Sequence, residues 1–126
     1  MAELRPNRAK EKLADGEIVT CLAGVDTPSL VDFVGPFGID AVWFEAEHGP
    51  VSFEDVGNLS RAADLWNMTP IVRVGSTDYS TIYRTLDMGA MGIVVPHVDT
   101  VGDAEAVVEA TKYAPIGRRG MFLPRQ

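Results

Sequence analysis

Short apolar runs alternate with helix-like segments along the chain, and this alternation predicts four β–α units. The runs are IVTCLAG (18–24), DAVWFE (40–45), PIVRV (70–74) and GIVVP (92–96). Strands that are apolar throughout and are separated by helices indicate a parallel sheet covered by helices. The pattern therefore predicts an α/β fold.

The segments between the runs carry the start signals of helices. Thr27 before Pro28 is a helix cap followed by a proline in the first turn, and Asp78 can cap a later helix. Ser52 and Asp55 resemble a capping box. Apolar residues then recur at helical spacing in each segment: they are Leu30, Val31, Phe33 and Val34; Phe53, Val56, Leu59, Ala63 and Trp66; Tyr79, Ile82, Tyr83 and Leu86; and, within 103–113, Ala104, Val107, Val108 and Ala110.

Four β–α units fit either an open doubly wound sheet or half of a (β/α)₈ barrel. A complete barrel typically needs about 250 residues, and the chain has 126, so length alone favours the open sheet. The dinucleotide-binding form of that sheet has no support, because LAGVDTPS after the first run is neither GxGxxG nor a P-loop.

Composition narrows the range of partners. The hydrophobic content of 46% and the length predict a single domain over residues 1–126. The net charge of −7 argues against nucleic acid and against anionic membrane surfaces as partners.

No run of 18 apolar residues is present, and the start MAELRPNRAKEK lacks the apolar segment of a signal peptide. The single cysteine, Cys21, fits a reducing cytoplasm, and we expect it to be a small core residue.

Polar residues recur where the predicted strands end. The second strand ends in WFEAEHGP with Glu45, Glu47 and His48, the third carries Arg73, and His97 follows the fourth. In parallel α/β folds the carboxyl ends of the strands carry the functional groups. We therefore expect these side chains at one edge of the sheet.

The residue types at this edge point to acid–base and anion chemistry. Arg73 lies among apolar neighbours, so its positive charge needs an anionic partner. The planar guanidinium group can donate hydrogen bonds to a carboxylate or to an enolate oxygen. A carboxylate beside His48 would fix its tautomer and raise its basicity, as a general base requires. His97 fits a role at the site or a simple place at its rim, and Asp87, judged from its own position, fits an ordinary surface acid. No HxxxH or CxxC spacing occurs, so we expect no complete metal site within this chain.

The segments WFEAEHGP, PIVRV, RTLDMGAMGIVVPHV and YAPIGRRGM resemble the HpcH/HpaI aldolase family of class II pyruvate aldolases, in order and spacing over nearly the whole chain. The resemblance implies a (β/α)₈ barrel, of which residues 1–126 would form the first half. It also implies a lyase that needs a divalent metal ion (Mg²⁺, Mn²⁺ or Co²⁺) and cleaves 4-hydroxy-2-oxo acids into pyruvate and an aldehyde.

The resemblance also implies roles for single residues. His48 would be the base, Arg73 the group that binds the substrate and stabilises the enolate, and Asp87 the carboxylate that raises the basicity of His48. Glu45 would support the histidine, although many members have Asp at that position. The metal ligands, a Glu and an Asp, would lie beyond Gln126. In the GRRG loop, Arg118 and Arg119 either contact a substrate carboxylate or form a solvated loop.

A half-barrel leaves two sheet edges unpaired and the inner face of its sheet open to water. We therefore expect another copy of the chain, or a second half, to cover these surfaces, and a homo-oligomer is the expected assembly. Two alternatives stay open. The chain is a catalytically inert structural or assembly unit, or it belongs to a related acyl-CoA lyase on the same barrel.

Overall fold

The computed structural model describes residues 4–121 and shows one layer of helices packed on a four-stranded parallel sheet. The strands are hydrogen-bonded in chain order, β1-β2-β3-β4, and each neighbouring pair is parallel. The elements are α1 (Arg8–Ala14), β1 (Cys21–Ala23), α2 (Pro28–Val34) followed by a 3₁₀ turn (Gly35–Phe37), β2 (Ala41–Glu45), α3 (Phe53–Leu65), β3 (Thr69–Arg73), α4 (Tyr79–Asp87), β4 (Gly92–Val94) and α5 (Val101–Thr111).

The strand order decides between the two predicted architectures. A doubly wound sheet reverses its strand order at a switch point, whereas β1 to β4 follow one another in a single direction, as the strands of a (β/α)₈ barrel do. The α/β fold is confirmed, and the described strands have the arrangement of a half-barrel instead of the open sheet that length alone favoured.

The sheet has one covered face and one open inner face. Phe44 on β2 and its register partner Val72 on β3 are fully buried and belong to the core. Side chains alternate along a strand, so the residues between these core positions face the other way. On β2 and β3 these inner residues include Trp43, Glu45, Ile71 and Arg73, all only partly buried.

Two expectations for the first strand are wrong. The strand begins at Cys21, and Ile18 is 86% exposed. Cys21 is exposed instead of lying in the core. Successive side chains of a strand point to opposite faces of the sheet. Leu22 packs against the core, so Cys21 and Ala23 on this edge strand face the open inner side.

The predicted helix starts are mostly confirmed. Thr27 and Asp78 cap α2 and α4, and the hydroxyl of Ser52 donates to Asp55 Oδ2 at 2.7 Å at the start of α3. The last helix begins earlier than expected, because Thr100 caps it and forms a capping box with Asp103.

Two features of the helical layer were not predicted. Trp66 was expected to face the core, but it lies just past the end of α3, is 39% exposed, and donates from Nε1 to Asp32 Oδ1 at 3.0 Å. The short α1, capped by Asn7, was not predicted at all.

Helix α1 is fixed to the amino edge of the sheet by the buried carboxylate of Asp40. Arg8 Nε lies 2.8 Å from Asp40 Oδ1, and Lys12 Nζ lies 3.0 Å from Oδ2. The backbone N–H and the hydroxyl of Thr20 both donate to the same Oδ2 at 2.9 Å. The backbone hydrogen bond from Thr20, with the bonds from the Lys12 and Thr20 side chains and the charge of Arg8, outweighs the cost of burial and lowers the pKa of Asp40 to about 2.

We expect Asp40→Asn to lower the free energy of unfolding by roughly 2–3 kcal/mol, because two cations and two donors lose an ionised partner. Urea denaturation at pH 7 measures this loss, and the exposed Asp26→Asn is the matched control. Since folding lowers the pKa of Asp40 from 3.8 to about 2, its contribution is complete above about pH 4 and is lost as the pH falls through about 2. A pH-independent difference between wild type and Asp40→Asn from pH 7 to pH 2 would contradict this assignment.

Candidate active site

The last residues of β2 and β3 form an ion pair at the carboxyl edge of the sheet. Glu45 and Arg73 are register partners, so alternation brings both side chains to the inner face in the same row. Arg73 Nε donates to Glu45 Oε1 at 2.9 Å and lies 2.8 Å from Oε2. The pair is partly buried, with 30% of the arginine side chain and 23% of the glutamate side chain exposed.

Glu45 also organises the EHGP turn that follows β2. The backbone N–H groups of Glu47 and His48 donate to Glu45 Oε1 at 2.9 Å and 3.1 Å. Trp43 Nε1 donates to Oε2 at 3.2 Å. The motif requires glycine at position 49 for steric reasons, because a Cβ on Gly49 would lie only 2.6 Å from the carbonyl oxygen of Glu45. The turn therefore folds back over the glutamate that precedes it.

These contacts keep Glu45 ionised. Burial raises the pKa of this carboxyl, but the hydrogen bonds from Arg73, the His48 N–H, Trp43 and the Glu47 N–H together lower it to about 2. The hydrogen bond to Glu45 in turn raises the pKa of Arg73. The guanidinium charge is therefore permanent at any working pH.

Glu47 is the centre of the cluster. Its Oε2 lies 3.2 Å from Arg73 Nε, and its Oε1 lies 3.6 Å from His48 Nε2 and 3.5 Å from His97 Nε2. Only 10% of the Glu47 side chain is exposed, whereas His48 and His97 are 74% and 79% exposed. One nearly buried carboxylate thus joins the ends of three strands, with a guanidinium on one oxygen and two imidazoles near the other.

The carboxylate beside the imidazole of His48 is Glu47, and the predicted support of His48 by Glu45 or Asp87 stays a prediction. Glu45 contacts His48 through the backbone N–H, and Glu47 lies beside the imidazole. The sequence left the role of Glu47 open. The signal was its place two residues after Glu45, beside a histidine and at the same strand end.

Asp87 and Arg119 lie together at the other edge of the sheet. Asp87 is the last residue of α4, which runs from the carboxyl edge back to the amino edge, and Arg119 follows α5. Arg119 Nη2 lies 2.6 Å from Asp87 Oδ1, and both side chains are nearly buried. Arg118 pairs with Glu109 at 2.6 Å. The roles of Asp87 and Arg119 at the His48 site therefore stay predictions, and within one chain the fold separates them from it.

Residues 4–121 contain neither a ready-made metal site nor a membrane-spanning helix. Within that range, no group of three or more His, Cys, Asp or Glu side chains is arranged to hold a metal ion. Glu45 and Glu47 are both engaged by Arg73. No helix in the same range is long and apolar enough to cross a membrane.

The arrangement is suited to one kind of chemistry. A guanidinium with a permanent charge binds and stabilises an oxyanion, and an exposed imidazole beside a carboxylate transfers a proton. The ring of Trp43 lies 5.9 Å from the guanidinium carbon of Arg73 and gives this edge an aromatic floor.

Curated proteins with similar sequences are aldolases by name. The chain is 38% identical over 99 residues to a 4-hydroxy-4-methyl-2-oxoglutarate aldolase of Hapsidospora irregularis, which covers 78% of this chain and 37% of the relative. It is 33% identical over 122 residues to a 2-keto-3-deoxy-L-rhamnonate aldolase of Escherichia coli, covering 96% of this chain and 46% of the relative. The chain thus spans less than half the length of these curated relatives.

Solved structures show the same fold. The citrate synthase SbnG superposes with a TM-score of 0.85 at 32% identity, over 92% of this chain and 48% of that chain. An HpcH/HpaI aldolase from Desulfitobacterium hafniense superposes with a TM-score of 0.84 at 29% identity, over 93% of this chain and 46% of that chain. The described residues correspond to about half of each structure.

The sequence profile of one family, HpcH/HpaI aldolase/citrate lyase, matches residues 19–123. That range contains the EHGP turn, Arg73 and His97, so the match covers the whole cluster at the carboxyl edge. The chain belongs to the HpcH/HpaI aldolase/citrate lyase family.

Proposed function

We propose that this chain supplies the base and the oxyanion-binding group of an aldolase that cleaves 4-hydroxy-2-oxo acids into pyruvate and an aldehyde. The observation that carries the proposal is the carboxyl-edge cluster, in which Glu47 lies 3.2 Å from Arg73 and 3.6 Å from His48. The relatives named for 4-hydroxy-4-methyl-2-oxoglutarate and 2-keto-3-deoxy-L-rhamnonate support a 2-oxo acid as the substrate class.

His48 is proposed to take the proton of the 4-hydroxyl group. Loss of this proton lets the oxygen form the aldehyde carbonyl as the C3–C4 bond breaks, and the electrons of that bond pass into the enolate of pyruvate. The carboxylate of Glu47 near Nε2 favours the tautomer with the proton on Nε2, which leaves Nδ1 as the acceptor. Glu47 also stabilises the imidazolium that forms, as a carboxylate partner does.

Arg73 is proposed to bind the enolate oxygen as negative charge develops there. Its contacts with Glu45 and Glu47 run through Nε, so the two terminal amino groups are available for the planar 2-oxo acid. A charged donor that is already held in place stabilises the transition state without reorganising. Glu45 is thus a positioning residue, because it acts through Arg73 and through the EHGP turn.

A divalent metal ion is part of the proposal for the whole enzyme, since class II aldolases of this family generally depend on one. When bound, such an ion supplies Lewis-acid polarisation of the 2-oxo group. Within residues 4–121 no group of three or more His, Cys, Asp or Glu side chains is arranged to hold such an ion, and we propose that its ligands lie outside this range.

A homo-oligomer and a cytoplasmic location complete the proposal. The amino-edge position of Asp87 and Arg119 means that either residue reaches a His48 site only from another copy of the chain. Exposed apolar side chains offer surfaces for such contacts, among them Phe33, Phe37, Val101 and Ile116. The single cysteine cannot form a disulfide within the chain, which fits a reducing compartment.

The alternative of an inert structural unit has one observation in its favour, the lack of a metal-binding group within residues 4–121. The related acyl-CoA lyase reaction stays open as a variant of the same enzyme class.

We expect His48→Ala and Arg73→Ala each to lower kcat of the metal-loaded enzyme by at least about a hundredfold, the usual effect of losing a base or an oxyanion donor. The measurement is pyruvate release from a 4-hydroxy-2-oxo acid with saturating Mg²⁺ or Mn²⁺. Arg61→Ala on an exposed position of α3 is the matched control. Near-wild-type turnover in either site variant shows that the role assigned to that residue is wrong.

We expect Glu45→Gln to lower kcat/KM by about tenfold to a hundredfold, because Arg73 loses its ionised partner. The acid limb of the pH–rate profile should keep its position in this variant, since the pKa of Glu45 of about 2 keeps the group ionised throughout the working range. A profile from pH 4 to pH 10 measures both effects. An acid limb that vanishes in Glu45→Gln would contradict the low pKa.

We expect the 126-residue chain alone to bind Mn²⁺ weakly, with Kd on the order of a millimolar or above, because no complete oxygen cage exists among the described residues. Isothermal titration calorimetry measures this affinity. Tight binding of about one ion per chain would overturn the placement of the ligands elsewhere and would also argue against the inert unit.

A further inference from the structure

We propose that His97 is a specificity-determining residue of this site, an inference that rests on the proposed aldolase function. Its imidazole binds an oxygen of the substituent on C4, the part of the substrate that leaves as the aldehyde. The enzyme would then prefer 2-oxo acids whose far end carries a hydroxyl or a carboxylate over those with an alkyl end. Three observations support this role.

The first observation is the position of His97 relative to the base. His97 lies just beyond the end of β4, at the same edge as His48. The two Nε2 atoms lie 3.5 Å and 3.6 Å from the same oxygen, Glu47 Oε1, so they are no more than about 7 Å apart. Both imidazoles are largely exposed. A short chain of two or three carbons can therefore touch both rings at once.

The second observation is the backbone at His97. Its φ is 55°, in the left-handed region that residues other than glycine rarely adopt. Among residues 4–121, Asn67 is the other such residue, with φ 52°, and it follows the end of α3, where asparagine commonly takes this conformation. His97 follows a strand and has no helix end to account for its backbone. Strained residues of this kind cluster at binding and catalytic sites.

The third observation is the order of the groups around Glu47. Arg73 lies on Oε2, and the two histidines lie near Oε1. With the 2-oxo oxygen at Arg73 and the 4-hydroxyl at His48, the substituent on C4 lies at the histidine end of the carboxylate. Of the charged side chains, Glu47 lies beside His97, and Arg73 lies on the other oxygen of Glu47. An imidazole N–H offers that substituent a hydrogen bond, which only an oxygen-bearing end can accept.

The test compares two ligands of equal length, 2-oxoglutarate and 2-oxopentanoate, which differ by a carboxylate or a methyl group at the far end. Isothermal titration calorimetry on the metal-loaded enzyme, the same protein as in the kinetic tests, gives their affinities for wild type and for His97→Asn. We expect wild type to prefer 2-oxoglutarate, and His97→Asn to weaken that ligand about tenfold or more while changing 2-oxopentanoate by less than about threefold. Asn67→Gly, at the other left-handed position, is the matched control and should keep the wild-type preference.

A stability measurement separates this role from a structural one. Asparagine and glycine adopt the left-handed region more easily than histidine, so His97→Asn and His97→Gly should leave the urea midpoint unchanged or raise it. A clearly lower midpoint in both variants would make His97 a structural residue and overturn the proposal.

The two proposals fail in different ways. If His97→Asn keeps the preference for 2-oxoglutarate, the inference about His97 is wrong, and the proposed aldolase function is unaffected. If wild type binds neither 2-oxo acid, the aldolase function itself fails, and the inference falls with it.

Discussion

Arg73 held between Glu45 and Glu47 is the interaction on which the rest of the site depends. The guanidinium joins the end of β3 to the end of β2, and both carboxylates reach it through Nε. Without the arginine, two acidic side chains would lie together at one strand end and repel each other. With it, their charge fixes a cation on the open inner face and orders the turn that carries His48.

Charged groups at the amino edge of the sheet hold the fold together, and those at the carboxyl edge form the candidate active site. At the amino edge, the buried carboxylate of Asp40 holds α1 through Arg8 and Lys12. At the carboxyl edge, Glu45 and Arg73 are only partly buried, Glu47 is nearly buried, and both imidazoles are largely exposed. This division agrees with the general behaviour of parallel β–α folds, in which the carboxyl ends of the strands face the substrate.

Much of this organisation could be predicted from the sequence, because it depends on local pattern. The capping residues Thr27 and Asp78 and the four apolar runs located the helices and strands. The grouping of Glu45, His48 and Arg73 followed from the rule for strand ends. The architecture of a half-barrel needed the resemblance as well, since length alone favoured the wrong sheet.

The remaining features depend on three-dimensional relations that a local pattern does not contain. Cys21 lies in an apolar run, yet only the pleat of an edge strand puts it on the open face. The central place of Glu47 depends on how the EHGP turn folds back, and its link to His97 crosses from β2 to β4. The motif containing Asp87 was recognised, but the direction of α4 carries that residue to the amino edge.

The most direct test of the central claim is a crystal structure of the metal-loaded protein with bound pyruvate. We expect pyruvate on the inner face at the carboxyl edge, with an oxygen within hydrogen-bond distance of the Arg73 guanidinium and its methyl group facing the His48 imidazole. Pyruvate bound at another surface, or Arg73 and His48 opening onto different faces of the sheet, would show that these two residues do not form one substrate site.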